Sequence, residues 1–168
     1  MKIKYAKSMN YIGTTRFNEE TWNSNKKWRE NHNFNGCIYG SPNLIKNDIP
    51  IDSIIFVIEM NNDKNMIMGI GLIKNKIVKN KKYKIYNWGN YNRFIYKGKY
   101  RIDRNILNKN ELKIIQILEI LIFKGSKHLK RGQGIIFMPN WIINNKTINF
   151  NNQIKKMFIN RYELPRYI

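Results

Sequence analysis

Residues 49–75 read IPIDSIIFVIEMNNDKNMIMGIGLIKN, and this stretch decides the fold. Ile54, Ile55, Phe56, Val57 and Ile58 form a short β-branched apolar run, preceded by Pro50-Ile51-Asp52 and followed by Asn61-Asn62-Asp63. A second apolar run, Met66 to Ile73, carries Gly69 and Gly71. Two such runs joined by a polar Asn/Asp turn predict a β-hairpin. A hairpin this apolar has to be covered, so it predicts the floor of a small barrel or strongly curved sheet. Glycines two apart share one face of a strand, where they let a ligand or another backbone come close. Equally, they mark a bulge or a tight barrel corner.

Upstream of the hairpin, Asn18-Glu19-Glu20-Thr21 opens a helix expected over 18–31, with Asn18 as cap and two acids at the positive end. Trp22 and Trp28 lie six apart on it, so one is expected in the core and the other over a neighbouring element. Asn35 to Pro42 reads as a turn, a brief strand and a turn, placing Tyr39 beside Gly40 where its ring can project into a cleft. Nearer the start, Ile3 to Ala6 is a short expected strand ending in a loop, Lys7-Ser8-Met9-Asn10.

Downstream, residues 74–84 (KNKIVKNKKYK) are either a solvated loop or a phosphate-facing lip. From Tyr83 to Tyr100 aromatic and polar residues alternate, as in one or two further strands. Arg93, Lys97, Lys99, Arg101 and Arg104 are interleaved with those rings. Cations that track phosphates between rings that stack on bases are the pattern of single-strand binding; a cross-strand aromatic ladder on a basic protein looks similar. A helix is predicted over 109–124, with Gly125 as its stop. Lys127-His128-Leu129-Lys130-Arg131-Gly132-Gln133-Gly134 then forms a basic, glycine-rich loop able to cradle a phosphate or simply to link. A last strand at 135–139 and a helix at 148–162 complete the expectation: one α+β domain over 1–168, a curved or barrel-like sheet flanked by about three helices.

The 168-residue chain carries a formal charge of +20. Such an excess implies an anionic partner. Asn, Ile and Lys are so frequent, and alanine so rare (Ala6 alone), that the sequence looks like the translation of a very A/T-rich genome. Part of the lysine excess follows from that bias, whereas tryptophans, glycines and arginines run against it. Cys37 stands alone, which excludes an internal disulfide and a cysteine-based zinc knuckle. The first residues lack the apolar core of a signal peptide, and Leu112 to Phe123 is interrupted by Lys113, Gln116 and Glu119. An intracellular protein without a membrane partner is expected. His32 and His128 are far apart, no metal-ligand spacing occurs, and neither Ser8 nor Ser41 lies in a nucleophile motif. No enzyme and no cofactor are expected.

Three segments, and more weakly a fourth, resemble the YTH and EVE domains of the PUA-like superfamily, which recognise modified nucleotides. Tyr5-Ala6-Lys7-Ser8 resembles their first strand, and Gly36-Cys37-Ile38-Tyr39-Gly40-Ser41 the Gly-x-Trp-x-x segment that supplies the first wall of an aromatic cage. The hairpin resembles their central strand pair, and Leu118 to His128 is similar to their closing helix. The resemblance implies a PUA-like fold and a base held between Tyr39 and Trp88, bordered by Lys7, Ser8, Asn10 and Ser41 and lying against Gly69 and Gly71. Around it, Arg93, Lys97, Lys99, Arg101, Arg104, Lys127, His128, Lys130 and Arg131 would contact the nucleic-acid backbone. The expected function is thus a nucleic-acid reader, RNA ahead of DNA. The alternative is a basic packaging nucleoprotein of a virus, with no specific pocket.

Overall fold

The computed structural model describes residues 10–164 and 168. The strand expected at 3–6, with Lys7 and Ser8, lies outside the described residues.

The hairpin forms as the sequence predicts. Its strands pair antiparallel, Val57 opposite Gly71 and Ile55 opposite Ile73. In chain order the strands and helices are β1 (Tyr11–Phe17), α1 (Glu19–Asn31), β2 (Cys37–Ser41), β3 (Ile54–Asn61), β4 (Met66–Lys74), β5 (Phe94–Gly98), β6 (Tyr100–Asp103), α2 (Lys109–Phe123), β7 (Ile136–Phe137), α3 (Asn140–Ile143) and α4 (Phe150–Ile159). The fold is α+β. Five strands make a mixed sheet in the order β6-β4-β3-β1-β7, and β2 pairs with β5 in a second, two-stranded sheet. Among the described residues neither sheet closes into a barrel.

Every residue of β3 is buried, because the sheet is covered on both faces. Successive side chains alternate between faces. Ile54, Phe56, Ile58 and Met60 therefore join α2 and α4 in one apolar cluster, through Ile115, Leu118, Ile122, Ile154, Met157 and Phe158. Ile55 and Val57 face the other way, into a cluster with Trp22, Trp28, Tyr39 and Tyr96. Both tryptophans of α1 are thus core residues, rather than one in the core and one outside it. The β3–β4 register shifts between Glu59 and Met60, so a bulge does accompany Gly69.

β1 was not expected from sequence. It runs parallel to β3, Gly13 opposite Val57, and antiparallel to β7, Thr14 opposite Ile136. Helix starts follow local chemistry: Asn18 and Thr21 form a reciprocal capping box on α1, and Asn108 and Glu111 one on α2. No described helix is long and apolar enough to cross a membrane.

Candidate nucleic-acid interface

The space beside the glycine-bearing strand is filled by the protein itself, which corrects the expected slot. A Cβ at Gly71 would overlap the Tyr39 hydroxyl and the Cys37 side chain; one at Gly69 would lie 2.6 Å from an Arg101 Nη and 2.8 Å from Glu59 Oε2. These glycines admit a buried network in place of a ligand. Tyr39, 1 % exposed, donates to Glu59 Oε1 at 2.8 Å. Arg101 grips the same carboxylate through Nε and an Nη at 2.7–3.2 Å and reaches Asp103 at 2.9 Å. Burial drives the Tyr39 hydroxyl well above its ordinary pKa, and pushes the neighbouring Cys37 thiol up to about 12. Tyr39 is therefore a core residue and not a cage wall.

The other expected pocket residues separate. Asn10 precedes β1, its carbonyl bonded by Asn151, at the end of the strand away from Phe17. Ser41 is buried, its hydroxyl bonded to the Asn43 backbone beneath Gly134. Among those that are described, Trp88 alone is open, 65 % exposed.

The expected backbone-contacting residues divide likewise. Arg101 is spent on Glu59, and Arg104 on Glu119 and the Ile67 carbonyl, so neither faces outward. Arg93 and Lys99 are exposed beside the Phe94 and Tyr100 rings. Lys97 stands 4.4 Å from the Phe34 ring centroid and 5.8 Å from those of Trp28 and Tyr83. Lys127 lies over Trp141, His128 Nδ1 accepts from the Lys130 amide, and Arg131 is exposed.

A different arrangement surrounds Trp88. The C-terminal end of β1 (Thr15, Arg16, Phe17), the start of α1 (Asn18, Thr21), Asn62 after β3, and Lys130, Gly132, Gln133 and Gly134 enclose a cavity of about 420 Å³ with Tyr86, Trp88 and Tyr91. That volume lies in the range of ordinary ligand sites. It opens beyond the carboxyl ends of the parallel pair β1 and β3, where α/β sheets commonly bind ligands. Its walls are fastened by side chains. Asn92 accepts from the Ile85 and Tyr86 amides and donates to the Tyr86 carbonyl, pinning the loop that carries Trp88. The buried Tyr86 hydroxyl is held by Asn25 at 3.0 Å. Asn62 donates to the Lys130 carbonyl at 2.8 Å and Arg16 Nε to that of Leu129 at 2.6 Å, which ties the glycine-rich loop to the sheet. Gly132 and Gly134 have φ of 119° and 71°, a backbone that favours glycine.

Further along α1, Lys27, Trp28, His32, Lys81, Lys82, Tyr83 and Lys84 line a second cleft of about 550 Å³. Trp88 and Lys130 thus share the first cavity, residues 81–84 of the basic run border the adjoining cleft, and Lys97 and Lys99 line a separate one with Leu72 and Tyr100. Arg16, Asn62 and Lys27 were missed. The signal for Arg16 was an arginine, encoded against the compositional bias, just before a helix cap.

Among the described residues no group of three or more His, Cys, Asp or Glu side chains is placed to hold a metal ion. No family model matches the chain, and no curated protein or solved structure matches it significantly.

Proposed function

We propose that the chain binds single-stranded nucleic acid, RNA ahead of DNA, in the groove between α1 and residues 81–91. Phosphates lie over Lys27, Lys81, Lys82 and Lys84, and one base lies on Trp88. The observation that carries this reading is Trp88 itself: a large ring on a loop pinned by Asn92, exposed at the mouth of a polar cavity. Such a ring offers a stacking platform without an ordering cost at binding. Charge supports it. The buried or half-buried acids Glu59, Glu111 and Glu119 are taken by arginines, so the surplus of positive charge is left to surface lysines.

The finer form of the reading is a modified base held by aromatic walls in a PUA-like domain. It moves from Tyr39 to Trp88, with Tyr86 and Tyr91 lining the same cavity. A methyl group shielded there would contribute roughly 0.8 kcal/mol.

The test is fluorescence anisotropy with a labelled, mixed-sequence RNA oligomer. Trp88→Ala should weaken binding about 5- to 150-fold, the equivalent of ~1–3 kcal/mol for one stacked base, with an unchanged melting temperature. Wild-type affinity in that variant, together with loss of binding on any lysine removal, favours the packaging alternative.

A further inference from the structure

Arg16 is a half-buried arginine whose hydrogen-bond partners are all neutral. Its Nε donates to the Leu129 carbonyl at 2.6 Å, one Nη to Thr14 Oγ1 at 3.0 Å, and the other lies 3.4 Å from the Thr14 carbonyl. A guanidinium has more N–H donors than these. Among the described residues no carboxylate pairs with it, whereas Arg101, Arg104 and Arg161 each sit on one. Burial lowers its pKa to about 10, which leaves it charged at neutral pH. A half-buried cation without a counter-ion is unfavourable, and an anion drawn into the cavity relieves it.

The surroundings suit such an anion. A Cβ at Gly132 would stand 3.8 Å from Arg16 Cζ, so the loop passes against the guanidinium. Among the described residues the Gly132 and Gln133 amides have no internal acceptor, and Lys130 lines the same cavity. Fork-shaped N–H donors beside free amides match phosphate oxygens better than a point charge does.

We infer that Arg16 anchors a phosphate in this cavity, so that its occupant is a nucleoside monophosphate unit: phosphate on Arg16 and the Lys130–Gly134 loop, base on Trp88. The inference rests on the nucleic-acid reading above and names the ligand class of that site. The phosphate comes either from a strand's 5′ end or from an internal phosphodiester, which offer the same oxygens.

Calorimetry with adenosine against adenosine 5′-monophosphate, and uridine against uridine 5′-monophosphate, tests it on the wild-type protein. Each monophosphate should bind at least tenfold tighter than its nucleoside. Arg16→Gln should erase that difference, and Arg16→Lys should restore only part of it. RNA oligomers with a 5′-phosphate or a 5′-hydroxyl then separate the sources: an Arg16-dependent preference for the phosphorylated end assigns a terminal nucleotide, and equal, Arg16-dependent binding an internal one. Nucleosides that bind as tightly as their monophosphates overturn the inference, as does a preference that survives Arg16→Gln. If Trp88→Ala still weakens oligomer binding in that case, the phosphate anchor alone has failed. If Trp88→Ala has no effect either, the nucleic-acid reading has failed with it.

Discussion

The Tyr39 hydroxyl donates to Glu59 across 2.8 Å, with both side chains 1 % exposed. The bond closes the space that Gly71 leaves open on β4, so the two residues work as packing. Tyr39→Phe should cost about 1.5–3 kcal/mol, as for a hydrogen bond to a charged group. Gly71→Ala should cost at least about 1–3 kcal/mol, since the new methyl meets Tyr39 and Cys37 in a filled core. Urea denaturation reads both changes. RNA affinity of the folded variants should stay within twofold of wild type, and a Tyr39→Phe protein of native stability that no longer binds would contradict the assignment.

The same pair shows what the sequence makes legible. An aromatic next to glycines is compatible with a cage wall and with a core plug, and the choice depends on whether a carboxylate lies within reach. Glu59 is twenty residues away, on β3, so only the tertiary pairing decides it. The hairpin, α1 and α2 were legible because their signals are local: two apolar runs around an Asn/Asp turn, Asn18 as a cap and Gly125 as a stop; the Asn108 cap of α2 was missed. β1 was not. Gly13, Thr14 and Thr15 interrupt its apolar run, and Thr14 is made fit for burial by a bond from its hydroxyl to the Ile136 carbonyl, 122 residues on. Missing β1 also hid the cavity at its end, and Arg16 and Asn62 with it. Trp88 was legible only as the second wall that the resemblance implies, whereas Lys130 belongs to a basic glycine-rich loop that needs no partner to be noticed.

Lys99 and Arg101 are two apart, yet only one is free to meet a ligand. Arg101→Met would leave Glu59 buried without its cation and should cost ~3–5 kcal/mol of folding free energy. Lys99→Ala, at an exposed position, should change stability by no more than about 0.5 kcal/mol. Thermal melting of the two variants side by side checks this. Equal, small effects would mean that the Glu59–Arg101 pair does not hold in solution.

Acid sensitivity should trace in part to Glu111. Hydrogen bonds from Arg161 hold its carboxyl below the ordinary glutamate range, helped by the Asn108 amide. A carboxyl whose folded pKa is depressed stabilises the protein fully above the unfolded value, about 4.3. That contribution is lost as pH falls through the lower, folded value. Wild type should therefore melt higher than Glu111→Gln at neutral pH, and the gap should narrow as pH drops below about 4.3. A gap that stays constant from neutral pH into that acid range would show that the ion pair contributes nothing.

Salt dependence separates the two parts of the proposed interface. A lysine that neutralises a phosphate releases a counter-ion, so on single strands each contact contributes roughly 0.7 to the slope of log affinity against log salt. Lys81, Lys82 and Lys84 border the cleft along α1, all exposed. Replacing the three by glutamine should reduce the slope by up to about 2 if each meets a phosphate. Trp88→Ala removes a stacked ring and no charge, so it should lower affinity at every salt concentration and leave the slope alone. The two sets are close along the chain but act through different physics, and titrations from low to high salt resolve them without relying on absolute affinity. If the triple variant leaves the slope unchanged while substitutions at distant lysines such as Lys109 or Lys155 reduce it, the strand does not follow the groove beside α1, and the path proposed for it is wrong.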